Sequence, residues 1–380
     1  MSHARKLMDI QDPGSEANGD INLQKARGIL GQIDRGLTTN QTLIVIFGFG
    51  SYGDILQITP LLKHLREQFS SSKLVLIHSH GSAKALLAGA NLVDETYDAA
   101  PACHPFLIEG FHQSAPRADL LVFCRYVIEY RLPADSRLTQ LERTFVESAM
   151  NIQREWLPLT NSFPLNNDRL WKTAATQGLG MYSLMAKTSG FDGKDFEALH
   201  IRLDPQDFLL RKELPQRYIV ICNSAEALTV TRSAWTKTLP NEKMARIVRK
   251  LKRLGVPSVL LGASKDDAPV DGVDFDWRGR SSLRQAAAIL HDAALYIAPE
   301  GGIANLAKAT GRNGIVFFCS TPAPFFAFRT NVNIQPQLCG GCWWTTPSYL
   351  YHCPRLLRTP ECTQSIPEDD IVQAARKMLA

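Results

Sequence analysis

The sequence predicts an α/β fold with two doubly wound domains that face each other across a cleft. A buried strand, a polar or glycine-rich turn and a helix follow one another near residue 43, and the same order restarts near residue 218. The length of 380 residues agrees with two domains, because a single hydrophobic core stops growing at roughly 250–300 residues.

The first half opens with Leu43–Phe47, a β-branched run that predicts a buried parallel strand. A glycine-rich turn follows, and apolar residues at helical spacing over 58–69 then predict a helix. Further strands are predicted over 74–77 and 120–123. Broken helical patterns over 132–216 mark the crossing between the domains.

The second half repeats this order from a strand over 218–221. Strand patterns recur at 259–262, 295–297 and 315–318, separated by helical patterns that include residues 283–291 and 303–310. We therefore divide the chain into a polar N-terminal extension (1–40), a first domain with its linker (41–210), a second domain (211–335), a cysteine-rich segment (336–365) and a C-terminal helix (366–380).

Charge and hydropathy exclude some classes of function. The net charge of +5 is small and scattered, which gives no support for nucleic-acid binding. Mild basicity suits an anionic ligand such as a nucleotide diphosphate, or peripheral contact with an anionic membrane. No apolar run is long enough for a transmembrane helix, and the polar first 40 residues lack a signal-peptide core, so the sequence predicts a cytoplasmic protein.

The first turn resembles a dinucleotide-binding loop in spacing but not in chemistry. Gly48, Gly50 and Gly53 read G-x-G-x-x-G, yet Asp54 follows where a phosphate-binding helix would begin. A carboxylate there repels a pyrophosphate, whereas it suits a base that faces a neutral hydroxyl. A nucleotide-dependent oxidoreductase is therefore the less favoured alternative, also because the second strand is followed by His78-Ser79-His80 rather than by an acidic residue.

Residues 49–62, read FGSYGDILQITPLL, resemble the opening loop and helix of the ADP-heptosyltransferases. The resemblance implies that Asp54 is the general base. It also places Gly50, Ser51, Tyr52 and Gly53 on the acceptor side, a set to which we add Arg125 at the end of a predicted strand. The alternative for Asp54 is a helix cap, whose carboxylate accepts backbone N–H groups.

The second half resembles the same family in two segments, residues 277–285 and 293–307. The second segment is similar to the family's nucleotide-sugar signature, with Glu300 and Asn305 where the family usually has aspartate and histidine. Gly301 and Gly302 precede a helix whose free N–H groups and dipole would stabilise a departing diphosphate. The resemblance implies that these four residues bind the donor; the alternative for the two glycines is a plain turn.

Family members also carry a cation before a tryptophan that contacts the donor phosphates. Here one extra residue separates Arg232 from Trp235, so Arg232 is the better match and Lys237 the second choice. Either side chain could instead be a solvated surface cation.

Four cysteines close to the C-terminus have the spacing of a metal site. A C-x-x-C pair and two further thiols within 24 residues satisfy a tetrahedral ion, and both zinc and iron suit four sulfurs. The segment also resembles the iron-bearing cysteine finger of autotransporter protein heptosyltransferases. The alternative is four free buried thiols. The predicted ligands are Cys339, Cys342, Cys353 and Cys362, and the cysteines read as ordinary core are Cys103, Cys124, Cys222 and Cys319.

Together these resemblances imply a GT-B fold of two Rossmann-like domains, the first binding the acceptor and the second the nucleotide sugar. The implied activity is inverting transfer of a sugar, with ADP-heptose as the expected donor and a protein serine or the lipopolysaccharide core as acceptor. No catalytic divalent metal is expected, and a homo-oligomer is compatible with the sequence. The remaining alternative is a catalytically inactive GT-B scaffold, because the signature residues depart from the family.

Overall fold

The computed structural model describes residues 16–38, 40–48, 50–114, 116–160, 167–224, 226–227, 230–233, 235–262, 270–346 and 348–380. Side chains are not described at 16–18, 167, 194, 226–227 and 230–233.

Two separate sheets of mainly parallel strands organise the chain. Their strands are β1 Leu43–Gly48, β2 Lys73–His78, β3 Glu95–Asp98, β4 Leu120–Cys124, β5 Ile128–Arg131, β6 Ile219–Ile221, β7 Glu226–Ala227, β8 Val230–Ser233, β9 Ser258–Leu260, β10 Phe275–Asp276, β11 Leu295–Pro299, β12 Ile315–Phe317 and β13 Val332–Ile334. The first sheet has the order β3-β2-β1-β4-β5 and the second β10-β9-β6-β11-β12-β13, while β7 and β8 form a small antiparallel ribbon.

Helices pack on these sheets. They are α1 Glu16–Arg35, α2 Tyr52–Gln57, α3 Thr59–Gln68, α4 Ala83–Leu87, α5 His104–Gln113, α6 Gln140–Trp156, α7 Asn167–Thr176, α8 Met181–Ser189, α9 Asn241–Lys252, α10 Leu283–Asp292, α11 Gly302–Ala309, α12 Ala323–Phe326, α13 Glu361–Gln364 and α14 Glu368–Leu379. The two-sheet α/β fold predicted from the sequence is thus confirmed. The antiparallel pairing of β5 with β4 was not predicted.

The strand sequences explain the layering. Every residue of β1 and β2 is buried, because a parallel strand covered by helices on both faces has no solvent side. β1 pairs with β2 from Leu43 opposite Lys73 and with β4 from Ile44 opposite Leu120. This register brings the carboxyl ends of the three strands to one edge of the sheet, where ligands bind in such folds.

Helix α1 occupies part of the stretch that the sequence analysis described only as a polar extension. Its side chains at 26, 29, 30 and 33 are buried and follow helical spacing, so the helix is amphipathic. Leu30 lies over Gly110 of α5, where a β-carbon would meet the leucine side chain at 2.3 Å. A glycine at this position therefore allows α1 and α5 to approach closely.

Arg284 of α10 ties three parts of the chain together. Its guanidinium donates to both carboxylate oxygens of Asp207 at 3.1 and 2.7 Å and to Asp204 at 3.1 Å. It also donates to the Ala85 carbonyl of α4 at 3.0 Å. The contact joins a second-sheet helix to the crossing segment and to the first domain.

We expect Arg284→Ala to lower the free energy of unfolding by about 3 kcal/mol, because it leaves the buried Asp207 carboxylate without its partner. Lys172→Ala is the matched control, since Lys172 pairs with Asp168 at the surface and such a pair contributes less than about 1 kcal/mol. Denaturant unfolding measures both. Equal losses in the two variants would contradict the assignment.

The pH dependence of this contact follows from the pKa of Asp207. Burial is the largest single effect and raises that pKa. The hydrogen bonds from Arg284 and from the Asp204 backbone, together with the Arg284 charge, outweigh burial and hold the pKa below its usual value of 3.8. The stabilisation is therefore present above pH 3.8 and is lost as the pH falls from there through the lowered folded-state pKa. Arg284→Ala should differ least from wild type in acid.

Candidate functional site

Asp54 lies in the first turn of α2, directly after the carboxyl end of β1. The backbone N–H of Ser51 donates to its Oδ2 atom at 2.7 Å, and the Ser51 hydroxyl lies 3.1 Å from the same atom. This is the capping contact that the alternative interpretation predicted. Within the part of the chain that the structure describes, these bonds use only the Oδ2 oxygen, so capping and a chemical role are compatible.

Glu300 and Lys237 form an ion pair at the carboxyl ends of the second sheet. The Lys237 Nζ atom lies 2.7 Å from Glu300 Oε2, and the two side chains are only 14% and 10% exposed. Glu300 follows β11 directly. Gly301 comes next with a φ of 149°, a conformation that side chains rarely adopt, and it is the N-cap of α11.

Helices α2 and α11 meet through glycines, and this contact brings the two predicted half-sites together. A β-carbon on Gly53 would lie 2.9 Å from the Gly302 α-carbon, and one on Gly302 would lie 2.4 Å from the Tyr52 ring. The Asn305 amide donates to the Gly53 carbonyl at 3.4 Å. The acceptor-side loop therefore lies directly against the predicted donor-binding turn.

Electrostatics link the two halves further. Burial raises the pKa of Asp54 above its usual 3.8. The Ser51 hydrogen bonds and the positive charge of Lys237 lower it, whereas the negative charge of Glu300 raises it. Lys237 consequently acts on both carboxylates. A raised pKa in a cleft is typical of a carboxylate that exchanges a proton.

The structure describes the remaining predicted site residues to different extents. Arg125 is exposed after β4. Gly50, with a φ of 113°, packs against Asp54, since a β-carbon there would lie 2.3 Å from Asp54 Oδ2. Its backbone N–H donates to the Ser79 hydroxyl at 3.4 Å. Arg232 belongs to β8, but its side chain lies outside the described residues. Of the two cations considered for the donor phosphates, Lys237 is the one whose position beside Glu300 is described.

Three tyrosines near the carboxylates were not selected from the sequence. Burial raises the pKa of Tyr126, Tyr182 and Tyr349 well above the usual value, and the charges of Asp54 and Glu300 raise it further. Their phenols therefore stay protonated at neutral pH and can donate hydrogen bonds. Only Tyr126 had a signal in the sequence, because it follows Arg125 at the end of a strand.

The cysteine-rich segment brings its thiols into one region without assembling a metal site. Burial raises the pKa of Cys342 to about 12, and the neighbouring Cys362, Cys339 and Cys353 raise it as well. Across the residues that the structure describes, no three His, Cys, Asp or Glu side chains lie close enough to hold an ion. The donor chemistry thus fits a metal, but the thiols would have to move together.

The turn between the first two thiols has an unusual backbone. Cys339, Gly340 and Gly341 have φ values of 58°, 135° and 65°, so the two glycines are required by the chain path. Cys319, read as a core residue from the sequence, lies in hydrogen-bond contact with Cys362. This fifth thiol has no spacing signal in the sequence, because it lies 20 residues before the C-x-x-C pair.

No protein-family model matches the sequence, and no curated protein matches it. Several solved structures are similar to this chain in fold. The glycosyl transferase family 9 protein from Veillonella parvula DSM 2008 is 15% identical, with a TM-score of 0.55 over 89% of this chain and 97% of that one. The E. coli ADP-heptose LPS heptosyltransferase II is 12% identical, with a TM-score of 0.54 over 89% and 98%.

A third similar structure is the iron-containing dodecameric glycosyltransferase TibC from enterotoxigenic E. coli H10407. It is 17% identical, with a TM-score of 0.58 over 90% of this chain and 80% of that one. TibC has also been solved in complex with ADP-D-β-D-heptose. The chain therefore has the fold of these glycosyltransferases, which confirms the fold that its resemblance to the ADP-heptosyltransferases implied.

Proposed function

We propose that the protein is an inverting glycosyltransferase that moves a sugar from a nucleotide donor onto an acceptor hydroxyl. One observation carries the proposal: Asp54, Lys237, Glu300 and the start of α11 lie together at the carboxyl ends of the two sheets. Such a place is where doubly wound folds bind ligands. The likeness in fold to heptosyltransferases supports the same activity.

In the proposed mechanism Asp54 takes the proton of the acceptor hydroxyl while that oxygen attacks the anomeric carbon. The bond from this carbon to the diphosphate oxygen breaks on the opposite face, so the configuration inverts. Ser51 contacts Oδ2, and among the described residues no hydrogen bond to Oδ1 of Asp54 is found, so Oδ1 is the atom proposed to take the proton. A positioned base contributes roughly 10²–10⁴ in rate.

Stabilising the negative charge of the departing diphosphate is proposed to contribute more to the rate than the base does. The free N–H groups at the start of α11 and the ammonium of Lys237 supply positive charge there. Arg232 is a second candidate cation by resemblance. Glu300 would accept hydrogen bonds from hydroxyls of the donor, and Asn305 would accept or donate them. When the Lys237–Glu300 ion pair opens, Lys237 would be able to contact phosphate.

We propose ADP-heptose as the donor, because the similar structures include one in complex with ADP-D-β-D-heptose and one named for ADP-heptose. The acceptor is proposed to be a protein serine or the lipopolysaccharide core. Free thiols at all eight cysteines agree with the proposed cytoplasmic location. In the described part of the chain, no helix is both long enough and apolar enough to cross a bilayer.

We further propose a structural iron or zinc bound by Cys339, Cys342, Cys353 and Cys362, with no catalytic divalent metal. The proximity of the four thiols supports it, as does the iron-containing TibC. Bound metal would hold the segment together. An oligomer is proposed on the same likeness, since TibC is described as dodecameric.

The decisive experiment incubates purified protein with ADP-, UDP-, GDP- and TDP-sugars and measures released nucleotide and sugar. A transferase without acceptor slowly hydrolyses its donor, whereas an inactive scaffold does not. The true donor should also raise thermal stability, because a ligand at 100 times its Kd adds about 2.7 kcal/mol. Reduction of a substrate by NADH or NADPH, without hydrolysis of any sugar nucleotide, would favour the oxidoreductase alternative.

Lys237→Met should weaken ADP binding by at least about tenfold, because a charge-assisted contact contributes roughly 1.5–3 kcal/mol. Glu300→Gln should leave binding of free ADP unchanged or stronger while weakening the complete sugar nucleotide. Calorimetry with ADP and with ADP-heptose measures both. Lys252→Ala is the control, since Lys252 pairs with Asp274 on the surface. Unchanged ADP binding in Lys237→Met would transfer the role to Arg232.

A further inference from the structure

An aromatic cluster connects the first sheet to the cysteine-rich segment. We call Tyr126, Phe325, Phe326 and Trp343 the aromatic bridge. The Tyr126 ring meets the Trp343 ring at 4.7 Å between centroids and 82°, and Phe326 meets Trp343 at 4.9 Å and 82°. Edge-to-face contacts of this kind contribute about 0.5–1.5 kcal/mol each beyond their burial. The bridge is therefore a fixed contact.

The two ends of the bridge belong to different parts of the protein. Tyr126 follows β4, at the edge of the first sheet where Asp54 also lies. Trp343 is adjacent to Cys342 and is only 2% exposed. Phe325 and Phe326 come from α12 in the second half. A movement of the cysteine-rich segment consequently reaches the first sheet through Trp343.

The Tyr126 hydroxyl is influenced by both halves of the protein. Burial raises the pKa of this phenol above its usual value, and the charges of Asp54 and Glu300 raise it further. The Trp344 side chain lowers the same pKa. Trp344 itself has a φ of 51°, a strained conformation for a bulky residue, which surrounding structure must maintain.

We propose that Trp343 is a positioning residue that holds Tyr126 beside Asp54 and Glu300, so that the cysteine-rich segment completes the active site. This inference rests on the proposed glycosyltransferase function. It also revises the role of the segment, because its order then affects the chemical step in addition to the stability of the C-terminal region. The phenol supplies a hydrogen bond at the place where the acceptor oxygen and the donor sugar meet.

The test compares Tyr126→Phe, Trp343→Phe and the double variant. Tyr126→Phe should lower kcat for transfer by about tenfold, as expected for a lost positioning contact, while KM for the donor and the metal content stay within twofold. Trp343→Phe keeps an apolar ring and should lower kcat by less. The double variant should be no slower than Tyr126→Phe, because Trp343 acts through Tyr126.

Tyr351→Phe is the matched control, since Tyr351 lies on the same segment outside the bridge and its hydroxyl has no hydrogen-bond partner among the described residues. It should transfer at the wild-type rate. A wild-type rate in Tyr126→Phe, or additive losses in the double variant, would overturn the positioning role.

A second readout separates this inference from the proposed function. Hydrogen exchange of the backbone over 124–128 should be faster in Trp343→Ala than in wild type, whether or not a donor has been identified. Absence of turnover in wild type with every sugar nucleotide defeats the proposed function alone. Unchanged exchange in Trp343→Ala defeats the coupling alone.

Discussion

Asp54→Asn is expected to reduce sugar transfer by at least roughly a hundredfold while the fold and ADP binding persist. The amide cannot take a proton from the acceptor hydroxyl, and a general base contributes roughly 10²–10⁴ in rate. The amide oxygen can still accept the Ser51 N–H, so the start of α2 should survive. Steady-state transfer and ADP calorimetry on one preparation measure the two properties.

The choice of asparagine makes the comparison interpretable. Asp54→Ala removes the capping contact as well as the base. Loss of the cap costs about 0.5–2 kcal/mol of stability, so a lower rate in this variant could not be assigned to the base alone. Asp98→Asn is a control at an exposed carboxylate near the end of β3. Retained turnover in Asp54→Asn would remove the base assignment and leave Asp54 as a helix cap.

The fall of kcat/KM at low pH is an independent test of Asp54 as the base. Burial raises the pKa of Asp54 above 3.8, so kcat/KM should rise with pH through a value above that of an ordinary aspartate. The same pKa shift has the opposite dependence on pH in its effect on folding stability. A raised folded-state pKa stabilises the fold at low pH, and this contribution is lost as the pH rises through that pKa. At neutral pH the asparagine variant should therefore be at least as stable as wild type.

The sequence predicted the two sheets and the glycine turns because these signals are local. A buried parallel strand such as β1 is an unbroken apolar run, and the turns after β1 and β11 need glycine. The predicted helices over 283–291 and 303–310 match α10 and α11 to within one residue at each end. For such elements, burial and backbone conformation depend mainly on neighbouring residues.

The pairing of the site residues could not be predicted in the same way. Lys237 and Glu300 are 63 positions apart and meet only through the folding of the second domain. Gly53 and Gly302 are 249 positions apart and meet only through the packing of the two halves. The resemblance identified Glu300 and both glycines one at a time. It ranked Arg232 before Lys237, because an inserted residue obscures which cation faces the turn.

The aromatic bridge was missed for a related reason. Tyr126 and Trp343 lie in segments whose local patterns indicate only a strand end and a cysteine motif. Helix α1 was missed although its apolar residues follow helical spacing, because polar residues dominate the first 40 positions. Composition over a long stretch is thus a weaker guide than the periodicity within it.

Purified protein is expected to contain about one iron or zinc per chain, bound by the four cysteines of the C-terminal segment. Four thiolates complete a tetrahedral shell and leave no position for substrate, so the ion acts structurally. The exposed Cys339 and the buried Cys353 and Cys362 must come together around it. Cys353→Ser should release the metal and loosen the C-terminal region, because structural zinc contributes directly to folding.

Elemental analysis and thermal unfolding measure the two effects on one sample. Cys103→Ser is the control, since Cys103 lies beside α5 and its thiol hydrogen-bonds Asn22 at 3.4 Å, a contact that a serine can keep. It should retain the metal. Metal-free wild-type protein that is folded and active would reject the site, as would metal retained when Cys339 and Cys342 are both replaced. If the aromatic bridge also transmits the order of the segment, Cys353→Ser should lower kcat, but by no more than Tyr126→Phe does, because the segment acts through Tyr126.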